Sequence, residues 1–364
     1  MKKFKSILTW VMVFTLIMSI AVPTSVSATV QSQKEIDLEQ AKKSADQNIS
    51  IKLIDEQIKN AQARYDYAVR KAGVTNDDWP TDEIRAEVKR LKELEPAQKR
   101  NAVEVLKLQR AEKLTSIKLD ITNAYFTYLF TQEQQKNQAA TIERLSKKLQ
   151  IIKSQFRSGK INESVLTETE IAFEEAEQQK DSIDRELSNI TMKLNSLLGR
   201  SLDAQLKVVS QNIPFYDLKI DLNKLTSDRI AASSKILQAK NNEAEAKIEY
   251  DIANFSSTQT VPEGLEDAQD KLLQAGYEYK QLVIDEEHNV LNEYNNLLNL
   301  RDDISIEELK MKYSQKQMNI AEVQYKKGLI DIIAYNSSIE NYEDSLIAYK
   351  KAQLDYFIAA ETFK

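Results

Sequence analysis

Two stretches of this chain carry the same turn. They are Gln155-Phe156-Arg157-Ser158-Gly159-Lys160-Ile161 and Gln324-Tyr325-Lys326-Lys327-Gly328-Leu329-Ile330, each a Gln-aromatic-x-x-Gly-x-Ile pattern. The chain has only six glycines, so their placement is informative. Glycine just past a periodic apolar run, with Lys or Arg in the last turn, marks the C-terminus of a helix. A second helical pattern follows each turn at once. Each stretch therefore reads as the tip of a helical hairpin, and two matching tips mean that one design is used twice.

The rest of the chain is built around those tips. From Glu35 to about Lys71, residues including Ile36, Leu38, Ile51, Leu53, Ile54, Ile58 and Tyr65 recur at helical spacing, until Gly73 and Asn76-Asp77-Asp78-Trp79-Pro80 end the pattern. Ile84, Val88, Leu91 and Leu94 predict a short amphipathic helix over Thr81–Glu95, punctuated by Pro96. A very long helix is expected from about Ala97 to Arg157. Its seam runs Leu114, Ile117, Ile121, Ala124, Tyr128, then Ile142, Leu145, Leu149, Ile152 and Phe156. That heptad spacing would extend about 90 Å at 1.5 Å per residue. The return helix carries Ile183, Leu187, Ile190, Leu194 and Leu197 and stops at Leu198-Gly199. Residues Ala204–Ile220, with Pro214, read as an irregular connector.

The second half keeps the order of the first. Ala244-x-Ala246-Lys247-x-x-Tyr250 lies over Ala61-x-Ala63-Arg64-x-x-Tyr67. A loop over Phe255–Gly264 precedes a second long helix, about Leu265 to Lys326, in which Tyr294 stands where Tyr125 does relative to its tip. The last helix carries Ile339, Tyr342, Leu346, Tyr349, Tyr356, Ala360 and Phe363. A helix start, an aromatic and a tip that recur in the same order make an internal repeat. The expected organisation is a signal peptide over 1–28, a first helical-hairpin repeat over 29–203, a connector over 204–222 and a second repeat over 223–364. The fold class is all-α: an elongated antiparallel coiled-coil bundle of two pseudo-repeats.

The leader reading rests on Lys2, Lys3 and Lys5, an apolar run from Ile7 to Val22, and Val26-Ser27-Ala28 as a small-residue cleavage site. The run is short for a membrane span, which needs roughly 20 residues. Export with removal of the leader is the expectation. The absence of cysteine excludes disulfides, thiolate metal sites and a cysteine nucleophile. A formal net charge of −6 argues against a nucleic-acid partner. His288 is the only histidine and has no candidate zinc or triad partner. Glu168, Glu170, Glu174 and Glu175 read as a solvated helix face rather than an acid–base pair or a calcium site. The tyrosines read as seam packing. The stretches Gln132–Gln138 and Asn292–Asn296 are either a loosened coiled coil or a hydrated wall, and the residues leave both open. No catalytic, cofactor or metal site is expected.

The chain resembles the TolC-type outer membrane efflux protein family over nearly all of its length after the leader. The residues that carry the likeness are the start Ile36-Asp37-Leu38-Glu39-Gln40-Ala41, both tips, and the ending Leu194-Asn195-Ser196-Leu197-Leu198-Gly199. The resemblance implies a non-enzymatic channel component of an export system, working as a homotrimer. An adaptor protein and an inner-membrane transporter are the implied partners. It assigns adaptor docking to Arg157, Ser158, Gly159, Lys160 and Ile161 and to Lys327, Gly328, Leu329 and Ile330. It implies a place in the cell envelope: the outer membrane where the host has one, otherwise the wall or surface. The family also inserts strands that form an outer-membrane β-barrel. Here residues 73–96 carry a charged helical pattern and 255–264 a short loop, so a barrel of about 9–11-residue alternating strands is not expected. An extracytoplasmic coiled-coil scaffold or adhesion-type protein is the alternative.

Overall fold

The computed structural model describes residues 35–76, 81–217, 219–256 and 263–363. The expected leader lies outside them. The helices are α1 (Leu38–Lys43), α2 (Ile49–Val74), α3 (Asp82–Lys89), α4 (Glu95–Arg157), α5 (Glu163–Leu197), α6 (Leu222–Ala232), α7 (Ser234–Ser256), α8 (Glu263–Lys326) and α9 (Ile332–Phe363). Short polar side chains start most of them. The Asp37 carboxylate accepts from the Gln40 N–H at 2.7 Å, Asn48 from Ser50 at 3.0 Å and Asp221 from Lys224 at 3.1 Å. Each satisfies an amide that has no partner inside its helix.

Pro96 does not end the helix before it. Residues Arg90–Leu94 widen into a π turn, in which the Glu95 N–H donates to the Arg90 carbonyl, and α3, this turn and α4 run on continuously. Pro96 has no N–H to donate and sits in the first turn of α4, where none is required. The Lys71–Glu95 ion pair, 3.1 Å, holds the end of α2 against this junction.

Toward the tips the helices pack in the order α5–α4–α9–α8, and away from them in the order α2–α4–α7–α8. Both layers are open, and α8 is the edge of each. An aromatic girdle joins the two halves. Ile121, Tyr125 and Phe126 of α4, Leu194 of α5 and Leu354 and Phe357 of α9 are buried together. Phe126 meets Phe357 edge-to-face at 4.6 Å between ring centroids. The connector from Leu198 to Asp221 crosses this level. It receives a hydrogen bond from the Tyr125 hydroxyl at the Val209 carbonyl (2.7 Å) and from the Tyr356 hydroxyl at the Tyr216 carbonyl (2.6 Å). Burial holds both phenols above their ordinary pKa, which keeps them protonated donors. The start of the chain is tied in here too, with the Ile36 N–H donating to Lys207 O at 2.9 Å and Val209 N–H to Ile36 O at 3.1 Å.

The second repeat has its own cluster of Val290, Leu297, Tyr356, Ala360 and Phe363. Tyr294 stacks on Phe363 there at 6.0 Å. Tyr125 and Tyr294 both lie 34 residues before their tip glycine, and Leu194 and Phe363 both lie 35 after it. The repeat is therefore one of packing as well as of sequence. Among the described residues the only strand-like pairing is the bridge between Ile36 and Val208. Seven residues separate α2 from α3 and six separate α7 from α8. Both intervals are shorter than the about 9–11 residues that one membrane-crossing strand requires. No described helix is long and apolar enough to cross a membrane.

Candidate functional site

Each tip is closed by hydrogen bonds in the same places. At the first, Gly159 takes φ 68° and donates to Phe156 O at 2.9 Å, while Lys160 N–H donates to Gln155 O at 3.0 Å. At the second, Gly328 takes φ 70° and donates to Tyr325 O at 2.9 Å, and Leu329 N–H donates to Gln324 O at 2.9 Å. This left-handed closure favours a residue without Cβ. Three residues after each glycine, an N-cap restarts the chain: Asn162 accepts from Val165 N–H at 3.2 Å and Asp331 from Ala334 N–H at 2.8 Å. Glycine closure and acidic or amide cap together turn the chain within four residues. Sequence reasoning found the glycines and missed the caps, whose signal is the shared Gly-x-x-Asn/Asp spacing.

The tips lie side by side. Arg144, fifteen residues before Gly159, bonds Glu343, fifteen after Gly328, at 2.5 and 3.2 Å. Equal counts on helices of equal rise place the two turns at one height. Arg157, Ser158, Gly159, Lys160, Lys327, Gly328 and Leu329 are exposed, and Ile161 and Ile330 are half-buried. Leu329 keeps 70% of its surface. The second tip is stiffened by Tyr325 stacked on Tyr335 at 5.3 Å, and the first by Ser158 Oγ donating to Gln155 O at 2.9 Å.

The other candidates are dispersed over the helices. His288 is exposed beside Asn292, 3.4 Å away. Glu170 pairs with Lys153 across the α4–α5 hairpin at 3.2 Å, and Glu168, Glu174 and Glu175 face solvent. The glutamine stretch splits by direction: Gln135 donates to Asp184 at 2.6 Å and Gln138 to Ala176 O at 2.8 Å, both on α5, whereas Gln132 and Asn137 face a groove.

A feature invisible in the sequence is the free edge of α8. Leu273, Tyr277, Ile284 and Leu291, then Ile306, Leu309, Tyr313, Ile320 and Val323, are all at least half exposed and lie at heptad spacing. On the opposite edge, α2 exposes Ile49, Leu53, Tyr67 and Val74, and α5 exposes Ile171 and, less fully, Met192.

Comparison with protein-family models and with curated proteins gives no match. Solved structures do match. The outer membrane protein VceC of Vibrio cholerae aligns with 90% of this chain and 94% of its own at a TM-score of 0.65 and 12% identity. CusC, described in terms of folding and transmembrane channel formation, aligns over 90% and 91% at 0.68 and 13%. The CmeC outer membrane channel of Campylobacter jejuni aligns over 89% and 84% at 0.66 and 10%. The fold is TolC-like. The likeness extends through both repeats, so the hairpins, the girdle and the connector form one TolC-like protomer.

Proposed function

We propose that the protein is the helical conduit of an export system in the cell envelope, a non-enzymatic ring of copies, three by the family resemblance. The observation that carries this reading is the pair of unlike apolar edges. One is α8, on either side of a polar interval between Leu291 and Ile306; the other is α2 above and α5 below. Unlike edges associate head to tail, and head-to-tail contacts close into rings when the rotation allows. Runs of large exposed apolar side chains along one helix are a surface that burial in an interface stabilises, at about 25 cal/mol per Å². The tips then form one end of the ring. Arg157, Ser158, Lys160, Ile161, Lys327, Leu329 and Ile330 would meet a helical-hairpin adaptor there, with an inner-membrane transporter beyond it.

The experiment has two steps on the exported protein. Native mass measurement of the wild type should give a closed oligomer, and Leu309→Asp with Tyr313→Asp should give folded monomers with the wild-type helical signal. Lys160, Ile161, Leu329 and Ile330 replaced by Asp or Ser should keep the ring mass and melting temperature while export falls. A wild-type monomer at all concentrations sinks the conduit; unchanged export with altered tips sinks the docking role.

A further inference from the structure

We propose that the groove at the girdle, between α4, the connector and α9, binds a polyhydroxylated glycan segment carrying a single carboxylate. This rests on the envelope placement above and supplies a way of holding the conduit in place, which no barrel strand among the described residues provides. The groove measures about 590 Å³, within the roughly 300–1,000 Å³ typical of ligand sites. Its base is apolar, with Phe126 and Phe130 buried beneath half-buried Leu129 and Ile213. Its walls include neutral hydrogen-bonding groups from two separate elements. Gln132 and Asn137 come from α4, and Ser210, Gln211 and Asn212 from the connector.

None of these five side chains bonds to another described residue. On the same helix Gln135, Gln138 and Asn101 bond across to neighbouring helices, whereas Gln132 and Asn137 remain available to a ligand. A carboxamide presents a donor and an acceptor in one plane, the complement of paired sugar hydroxyls or an acetamido group. The C–H face of a pyranose fits the apolar base. Charge limits the ligand further. Glu133 is paired with Lys350, which among the described residues leaves Lys136 as the one groove cation without an ion pair. One cation suits one carboxylate. It does not suit a polyphosphate, and the polar walls do not suit a lipid chain.

The test uses the exported protein and two glycan sources. One is insoluble wall glycan stripped of protein and attached anionic polymers; the other is the soluble N-acetylglucosamine–N-acetylmuramic acid disaccharide. Co-sedimentation with the first, competed by the second, is expected. Calorimetric binding of the disaccharide alone keeps the site and assigns it to free saccharides. Gln211→Ala with Asn212→Ala, both on exposed connector positions, should weaken binding roughly tenfold, the scale of lost hydrogen bonds. Lys136→Met should weaken the acidic disaccharide and spare an oligomer of N-acetylglucosamine only. If the double variant melts early, Asn212→Asp serves instead, with loss of binding expected from like charge against the carboxylate. No binding to either source, or binding that none of these variants alters, overturns the proposal. Particle mass measured alongside separates the readings. A ring that binds no glycan overturns this inference alone, and a monomer that binds glycan removes the conduit and leaves the groove.

Discussion

The girdle and the tips lie on the same helices, roughly 50 Å apart at 1.5 Å per residue, and they are held in opposite ways. At the girdle, Phe126, Phe357, Tyr125 and Leu194 are fully buried, and two tyrosine hydroxyls reach carbonyls of the connector. At the tips almost every side chain is exposed, and shape comes from backbone closure at Gly159 and Gly328 with caps at Asn162 and Asp331. The difference separates two tasks. Burial fixes how the repeats sit against each other, and local capping leaves the tip surface uncommitted. A chain built this way can change its tip chemistry without touching its core.

The comparison is tested most severely at Phe357. Phe357→Ala removes a ring that meets Phe126 and stacks with Tyr216 at 5.9 Å, and should cost about 3–5 kcal/mol. Urea unfolding would measure it. The same truncation at exposed Leu329 should stay within about 0.5 kcal/mol. Equal losses at the two sites would break the distinction.

Next in size are the glycines. Gly159→Ala and Gly328→Ala each force a Cβ into a left-handed conformation, with nothing within 4 Å to clash, so the cost is that of the backbone, about 1 kcal/mol. Gly199, at φ 68° with Arg200 N–H donating to Asn195 O at 2.8 Å, closes α5 in the same way and should respond alike. A markedly larger loss at Gly159 or Gly328 than at Gly199 would mean that tertiary contacts, not local closure, hold the tips.

How legible each region was in the sequence follows the same division. The tips were readable because a glycine after a basic last turn is a local signal. The long helices were readable to within two residues, since α4 begins at Glu95 and α8 at Glu263. The continuous π turn before Pro96 was not, because it depends on α2 and α7 packing against it. Helix α6 was missed although Ile220-Asp221-Leu222 repeats Ile36-Asp37-Leu38, cap included. The free edge of α8 was hidden for a plainer reason. Heptad spacing is the same whether a stripe meets a helix of its own chain or of another, so Leu309 and Leu297 look alike in sequence. The split between bonded Gln135 and unbonded Gln132 is likewise one of direction, less than one turn apart.

The smallest expected effect lies between girdle and tips, where Arg144 meets α9. Glu343 bonds its guanidinium directly, whereas Glu340 stands 3.8 Å away. Burial raises the Glu340 carboxyl above its ordinary 4.5, and nearby Arg144 only partly opposes this. Asp344 is shifted the same way. An acid whose folded pKa is raised binds its proton more tightly in the folded chain than in the unfolded one. Its contribution to stability therefore grows as pH falls from the raised value toward 4.5 and is lost as pH rises back through that window. Glu340→Gln removes this titration while Arg144 keeps Glu343. The melting temperature of the variant should equal or slightly exceed that of wild type at neutral pH, because the amide carries no buried charge. Its pH profile just above 4.5 should be flatter, measured as melting temperature against pH at constant salt. A clear drop at neutral pH would mean that Arg144 and Glu340 attract more than burial costs. This seam would then belong with the girdle as a fixed joint between the repeats. The flat profile would instead place it with the tips, as a contact that the fold tolerates without depending on it.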